Sequence, residues 1–147
     1  QTDYPDFDIS QIELAKAALR NVESRGSGGY MARGPVVKKG SNKGDRAVGA
    51  YQVMPKNIPS WTKEHVGKEM TVQEFLNSPQ AQDTVVEKEL VKNFKKYGNI
   101  EDAISVWFTG RPLKKAKRAN ASDGSVGVSE YLSRWSEEFD TLVEKDK

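Results

Sequence analysis

The sequence predicts a mainly α domain of the α+β kind, with a long Gly-rich loop or small β element near residues 25–50. Two observations predict it. Apolar residues recur at helical spacing through most of the chain, as in Val86, Leu90, Phe94 and Tyr97, or Val128, Tyr131 or Leu132, Trp135, Phe139 and Leu142. Glycines crowd one stretch: Gly26, Gly28, Gly29, Gly34, Gly40 and Gly44 all precede Gly49, with Pro35 among them.

The elements run in order. Residues 1–8 read as a polar lead-in, and Asp8 or Ser10 is placed to cap a first helix running to about Glu23. Arg25 to Gly49 reads as loop with a short hairpin around Pro35-Val36-Val37, and a connection this long inside a domain is usually functional. Pro59-Ser60-Trp61 starts a short helix. Thr71 to Glu74 has the capping-box spacing for another, carrying Phe75 and Leu76. Asn77-Ser78-Pro79 launches a longer helix that Gly98 closes. Asn99 caps a helix through Ala103, Ile104 and Trp107 that ends before Gly110-Arg111-Pro112. Residues 113–127 read as a basic, then Ser/Gly/Asp-rich connection, and the last helix begins near Val128. With no repeat and no interdomain linker, residues 1–147 read as a single domain.

Composition narrows the function. A chain of 147 residues can bury a core, and 36% hydrophobic with 30% charged residues is a globular balance. No apolar run approaches the ~18–20 residues of a membrane span. The absence of cysteine excludes disulfides and thiolate metal sites. His65, the lone histidine, sits in a charged stretch that predicts a surface position, so neither a metal nor another cofactor is expected. A net charge of +2 does not require nucleic acid and is compatible with polyanions, including bacterial wall polymers. The chain begins at Gln1, so it reads as a processed form or an excised domain.

Chemistry concentrates at Glu23. At about 100° per residue, Leu19 and Glu23 both fall within about 20° of Ile12. Glu23 therefore continues an apolar stripe, and partial removal from water favours the protonated carboxyl that a general acid needs. The plain alternative is a helix-terminal glutamate in solvent. Downstream lies Gly49-Ala50-Tyr51-Gln52-Val53-Met54-Pro55, a glycine-flanked polar segment of the sort that can line a sugar-cleaving cleft.

These motifs, in this order, resemble the soluble lytic transglycosylase domain of bacteria and phages, whose lysozyme-like fold is shared with goose-type lysozymes. The counterparts are Glu23-Ser24, Tyr51-Gln52-Val53-Met54-Pro55, Val106 to Gly110, and Tyr131-Leu132, so the likeness spans about residues 10–135. It is closest in flavour to phage-type variants. The resemblance implies a lysozyme-like domain that cuts the β-1,4 bond between N-acetylmuramic acid and N-acetylglucosamine in peptidoglycan. Glu23 would protonate the glycosidic oxygen, then deprotonate the muramoyl 6-hydroxyl to close a 1,6-anhydro ring. An intramolecular attack needs one protein carboxylate, where hydrolysis uses two. The resemblance also implies substrate contacts at Ser24, Gln52 and Tyr131, and a periplasmic, extracellular or virion-associated location, within a larger envelope or virion protein. Tyr51, where the family has Met, is a candidate aromatic floor for a sugar ring, and Trp107, where it has Tyr, could desolvate Glu23 or stack on a sugar.

Each assignment has a plainer counterpart. Gln52 can brace its own loop, Ser24 can bond backbone, and Tyr51, Trp107 and Tyr131 can pack in the core. Trp107-Phe108 departs from the family's Tyr-Asn, and indole cannot accept a hydrogen bond. Asp45, just before the Gly49 segment, is the candidate second carboxylate of an alternative hydrolytic muramidase; its counterpart is an Asp bonding turn amides or a neighbouring arginine. A non-catalytic wall-binding or virion structural module is the third reading. Lys38, Lys39 and Lys43 in the long loop, and the run Lys114, Lys115, Lys117 and Arg118, read as solvated faces that could also meet an anionic glycan.

Overall fold

Asp8 opens the helical part of the chain. Its carboxylate accepts from the Ser10 amide at 2.8 Å while the Gln11 side chain reaches back to the Asp8 amide at 2.9 Å. This reciprocal cap starts a 3-10 turn over Ile9–Gln11, which runs into α1 (Ile12–Ser24). The computed structural model describes residues 7–24, 29–119 and 127–147. Most of the lead-in, residues 25–28, the Ser/Gly/Asp-rich stretch 120–126 and the side chain of Ser24 lie outside the described residues.

After α1 come β1 (Arg33–Val36), β2 (Arg46–Val48), α2 (Ile58–His65), α3 (Val72–Leu76), α4 (Pro79–Tyr97), α5 (Ile100–Thr109), α6 (Leu113–Arg118) and α7 (Val128–Asp146). The protein is mainly helical, with a small two-stranded sheet. Its chain divides into two compact units, a hairpin unit of Glu23–Val86 and a helical unit of Gln1–Val22 with Glu87–Lys147. No helix among the described residues is long and apolar enough to cross a membrane.

In the hairpin unit β1 and β2 pair antiparallel, Arg33 opposite Val48 and Val36 opposite Arg46, with an irregular register between. The Thr71 hydroxyl accepts from the Glu74 amide and the Glu74 carboxylate from the Thr71 amide, completing the expected box ahead of α3. Ser78 Oγ accepts from the Ala81 amide, so the serine caps α4 and Pro79 takes its first position. Thr62 ties α2 to the segment leading into α3: its Oγ1 donates to the Ile58 carbonyl at 2.6 Å and accepts from the Met70 amide at 2.9 Å. Ile58, Phe75, Leu76, Val85 and Val86 are fully buried.

In the helical unit the α7 stripe is buried as its spacing predicts, through Val128, Leu132, Trp135 and Phe139. The Trp135 ring stacks on Phe139 at 5.0 Å, and its indole N–H donates to the Ala15 carbonyl of α1 at 3.2 Å. Asn99 caps α5 by accepting from the Asp102 amide, and Gly110 ends it at φ +81°.

Two expectations fail. Residues 113–118 are a helix and not a connection. Asp102 Oδ1, from α5, accepts from the Leu113 amide at 2.8 Å, and Ala116 is fully buried. That cap comes from a neighbouring helix, where a scan of local spacing has no access to it. His65 is not a surface side chain either: its imidazole is only 7% exposed.

Candidate functional site

The Gly49 segment is a tight turn closed by its flanks. Val48 and Val53 exchange two backbone hydrogen bonds of 2.9 Å, leaving Gly49-Ala50-Tyr51-Gln52 as the loop between them. Gly49 sits at φ +84°, which glycine adopts freely. Gln52 sits at φ +56° and is the only non-glycine at positive φ among the described residues. That conformation costs an ordinary L-residue about 1–2 kcal/mol, and such strain clusters at functional sites. The Gln52 side chain is half-buried, and its Nε2 donates to the Gly49 carbonyl at 3.0 Å. Gly34 of β1 leaves room for it: a Cβ there would collide with Gln52 Oε1.

The turn is held from beneath by two residues that sequence reasoning missed. Gln82, fully buried in α4, accepts from the Ala50 amide at 2.9 Å and donates to the Tyr30 and Phe75 carbonyls at 3.0 Å each. A Cβ on Gly49 would strike the Gln82 amide, so glycine is required there by space as well as by φ. Asp83 Oδ1 accepts from both the Tyr51 hydroxyl at 2.6 Å and the Tyr30 hydroxyl at 2.8 Å. A signal for Gln82 was present, since it lies four residues before Val86 on the apolar stripe of α4. A polar side chain on such a stripe must carry hydrogen bonds with it. Asp83 gave no comparable signal.

Glu23 lies in the last turn of α1 and is half-buried, as the stripe from Ile12 predicted. Two other carboxyls of the same unit have visible structural roles. Asp83 serves two phenols. Glu74 closes its capping box, and the hydrogen bond from the Thr71 amide holds its pKa below the usual carboxylate range. Asp45, half-buried just before β2, closes the hairpin through its backbone, its amide donating to Asn42 and its carbonyl accepting from Val37, and these bonds leave its carboxylate unassigned.

No protein-family model matches the chain, and neither the curated proteins nor the solved structures include a similar one.

The other expected contacts divide. Tyr51 has no exposed surface, so as an aromatic floor for a sugar ring it is corrected to a packing residue that anchors the turn. Tyr131 is likewise packed. It is 3% exposed, on α7 of the helical unit, with its ring stacked 4.0 Å from Phe108. Trp107, on α5 of that unit, is partly exposed and keeps a surface to offer. For Ser24 the helix backbone is described and the side chain is not. The hairpin unit thus holds Glu23 and the Gln52 turn, and the helical unit holds Trp107 and Tyr131.

Proposed function

We propose that the protein is a lysozyme-like peptidoglycan lytic transglycosylase in which Glu23 is the general acid and then the base. The observation that carries the reading is the strained turn ending at Gln52, in the same unit as a half-buried glutamate at a helix end. Strain at a non-glycine position persists only where the surroundings over-determine it, and here Gln82, Gly49 and Gly34 all do so. The mainly helical chain with one small hairpin agrees with the architecture this reading requires.

In this mechanism Glu23, still protonated, gives its proton to the glycosidic oxygen as the bond to the muramic acid anomeric carbon breaks. The resulting carboxylate then takes the proton of the muramoyl 6-hydroxyl, whose oxygen bonds to the anomeric carbon and closes the anhydro ring. No water is consumed, and the tethered nucleophile removes the need for a second protein carboxylate. Gln52 is suited to hold acetamido or hydroxyl groups with the amide atoms its turn leaves over.

The test is mass spectrometry of fragments released from purified peptidoglycan, beside a Glu23→Gln control. Anhydro products, one water lighter than muramidase products, are expected from the native chain. The Glu23→Gln variant is expected to lose about 10²–10⁴-fold in rate, the usual contribution of a positioned acid/base. Fragments with ordinary reducing ends would assign the chemistry to hydrolysis. Retention on sacculi without release would make the protein a wall-binding module.

A further inference from the structure

The hairpin carries more charge than its own packing uses. Between residues 33 and 46 it holds Arg33, Lys38, Lys39, Lys43 and Arg46 against a single acid, Asp45. All five cations are exposed, and none forms an ion pair with a described residue. Of their side chains only that of Arg46 makes a structural bond, donating to the Gly34 carbonyl at 2.7 Å. Val36 lies between Arg33 and Lys38 in sequence and is 53% exposed, which adds an apolar shoulder to a charged surface.

Two features narrow what such a surface binds. The backbone bonds of Lys43 to Gly40, Gly44 to Val37 and Asp45 to Asn42 fix the tip. The five cations are strung along both strands and this tip, so the charge is spread along the hairpin and not gathered around one compact anion. The root of the hairpin is also the wall of the Gln52 turn, because Gln52 packs on Gly34 and β2 leads directly into Gly49. From Gly34 to Lys38 is at most about 13 Å of extended chain, comparable to a short peptide.

We infer that this hairpin binds the free carboxylates of peptidoglycan peptide stems, so that the protein prefers peptide-bearing glycan to glycan stripped of its stems. The inference rests on the reading of the protein as a peptidoglycan-cleaving enzyme. Lysines on a solvated hairpin act as point charges with modest individual strength. Several together supply a salt-sensitive preference and steer the chain to its anionic substrate.

The experiment measures binding of Glu23→Gln protein to two bead-immobilised glycan preparations at low and high salt. Both are freed of phosphodiester polymers; one keeps its stems, and the other is stripped of them by an amidase and has the lactyl carboxylates so exposed blocked as amides. The Glu23→Gln protein should bind the peptide-bearing glycan about tenfold more tightly at low ionic strength, with the ratio shrinking as salt is added. Adding Lys38→Gln, Lys39→Gln and Lys43→Gln together should bring the ratio close to one, and the three Lys→Arg replacements should keep it. Equal retention on both glycans would overturn the inference, as would a preference that survives the three Gln replacements. So would a preference seen only when phosphodiester polymer is left in place. The enzymatic reading fails by a different result, release of fragments by Glu23→Gln at the native rate, so the two failures are distinguishable.

Discussion

The two units stabilise their buried polar groups by different chemistry. In the helical unit these groups include the ionisable Lys16, Glu89 and Glu101, and every described positive-φ position is a glycine at a helix end, Gly98 or Gly110. In the hairpin unit the fully buried polar residues are the neutral Thr62 and Gln82, beside a His65 imidazole that is little exposed, and a non-glycine, Gln52, is held at positive φ. One unit follows local rules nearly throughout and packs aromatic rings. The other breaks a local rule at one turn and surrounds it with hydrogen bonds. Where local preference and structure conflict, function is the usual reason.

Deleting an aromatic ring from the helical unit should give the largest loss of stability. Phe139 is 1% exposed, stacked on Trp135 and in tilted contact with Phe7 at 5.8 Å. Phe139→Ala should cost about 3–5 kcal/mol in urea unfolding, because the ring leaves a cavity among rigid neighbours. A loss below about 1 kcal/mol would mean that this core is looser than its burial indicates.

Gln82→Ala should come next, at about 2–4 kcal/mol, since the Ala50 amide and the Tyr30 and Phe75 carbonyls lose their partner. Its signature lies in a double-mutant cycle with Gly49→Ala. Alone, Gly49→Ala both strains φ and strikes Gln82; with Gln82 cut back, only the strain remains. The two costs should therefore fall well short of adding. Additive costs would refute the tight fit of the turn on α4.

Signals carried by neighbouring residues were legible in the sequence. The box from Thr71 to Glu74, the cap and proline at Ser78-Pro79, Asn99, and the glycine stops at Gly98 and Gly110 are contacts within a few residues, which spacing encodes. The hairpin was visible as glycines around Pro35. What was hidden depends on partners distant in sequence. Helix α6 needs Asp102 from another helix, and Tyr51 is committed to packing by Asp83, 32 residues away. Tyr131 and Phe108 stack across α7 and α5. For Glu23 and Gln52 the sequence indicated which residues to examine, and the turn that strains Gln52 came only with the structure.

A smaller effect should separate the ionic interior from the neutral one. Lys16 is 4% exposed, and its ammonium contacts Glu87 at 2.9 Å and Glu13 at 3.1 Å. Burial is the largest single influence on Lys16 and opposes its charge, but hydrogen bonds to Glu87 and Glu13 outweigh it and raise the pKa. The bond from Lys16 is also the main reason the Glu87 carboxyl is held below its usual range. A depressed carboxylate stabilises the fold above its unfolded pKa, and that contribution is lost as pH falls through the folded value. A raised lysine stabilises below its unfolded pKa and loses this as pH rises through the folded one. Lys16→Met should thus cost about 1–2 kcal/mol near neutral pH, the partners being partly exposed, and less in acid once Glu87 is protonated. The cost of Gln82→Ala, lost between neutral groups, should stay constant over the same range.

The smallest stability effect should accompany a large loss of activity. Gln52→Gly removes about 1–2 kcal/mol of left-handed strain, adds roughly 0.5–1 kcal/mol of backbone entropy cost, and deletes one side-chain bond to Gly49. These nearly cancel, so the unfolding midpoint should hardly move. If glutamine is kept at this position only as a brace, release of peptidoglycan fragments should be equally unaffected. If its amide holds the sugar, fragment release should fall at least about tenfold, the worth of one or two substrate hydrogen bonds. An unchanged midpoint with unchanged release would reduce the hairpin unit to an unusual scaffold. An unchanged midpoint with lost release would show that the strain at Gln52 is maintained for substrate and not for the fold.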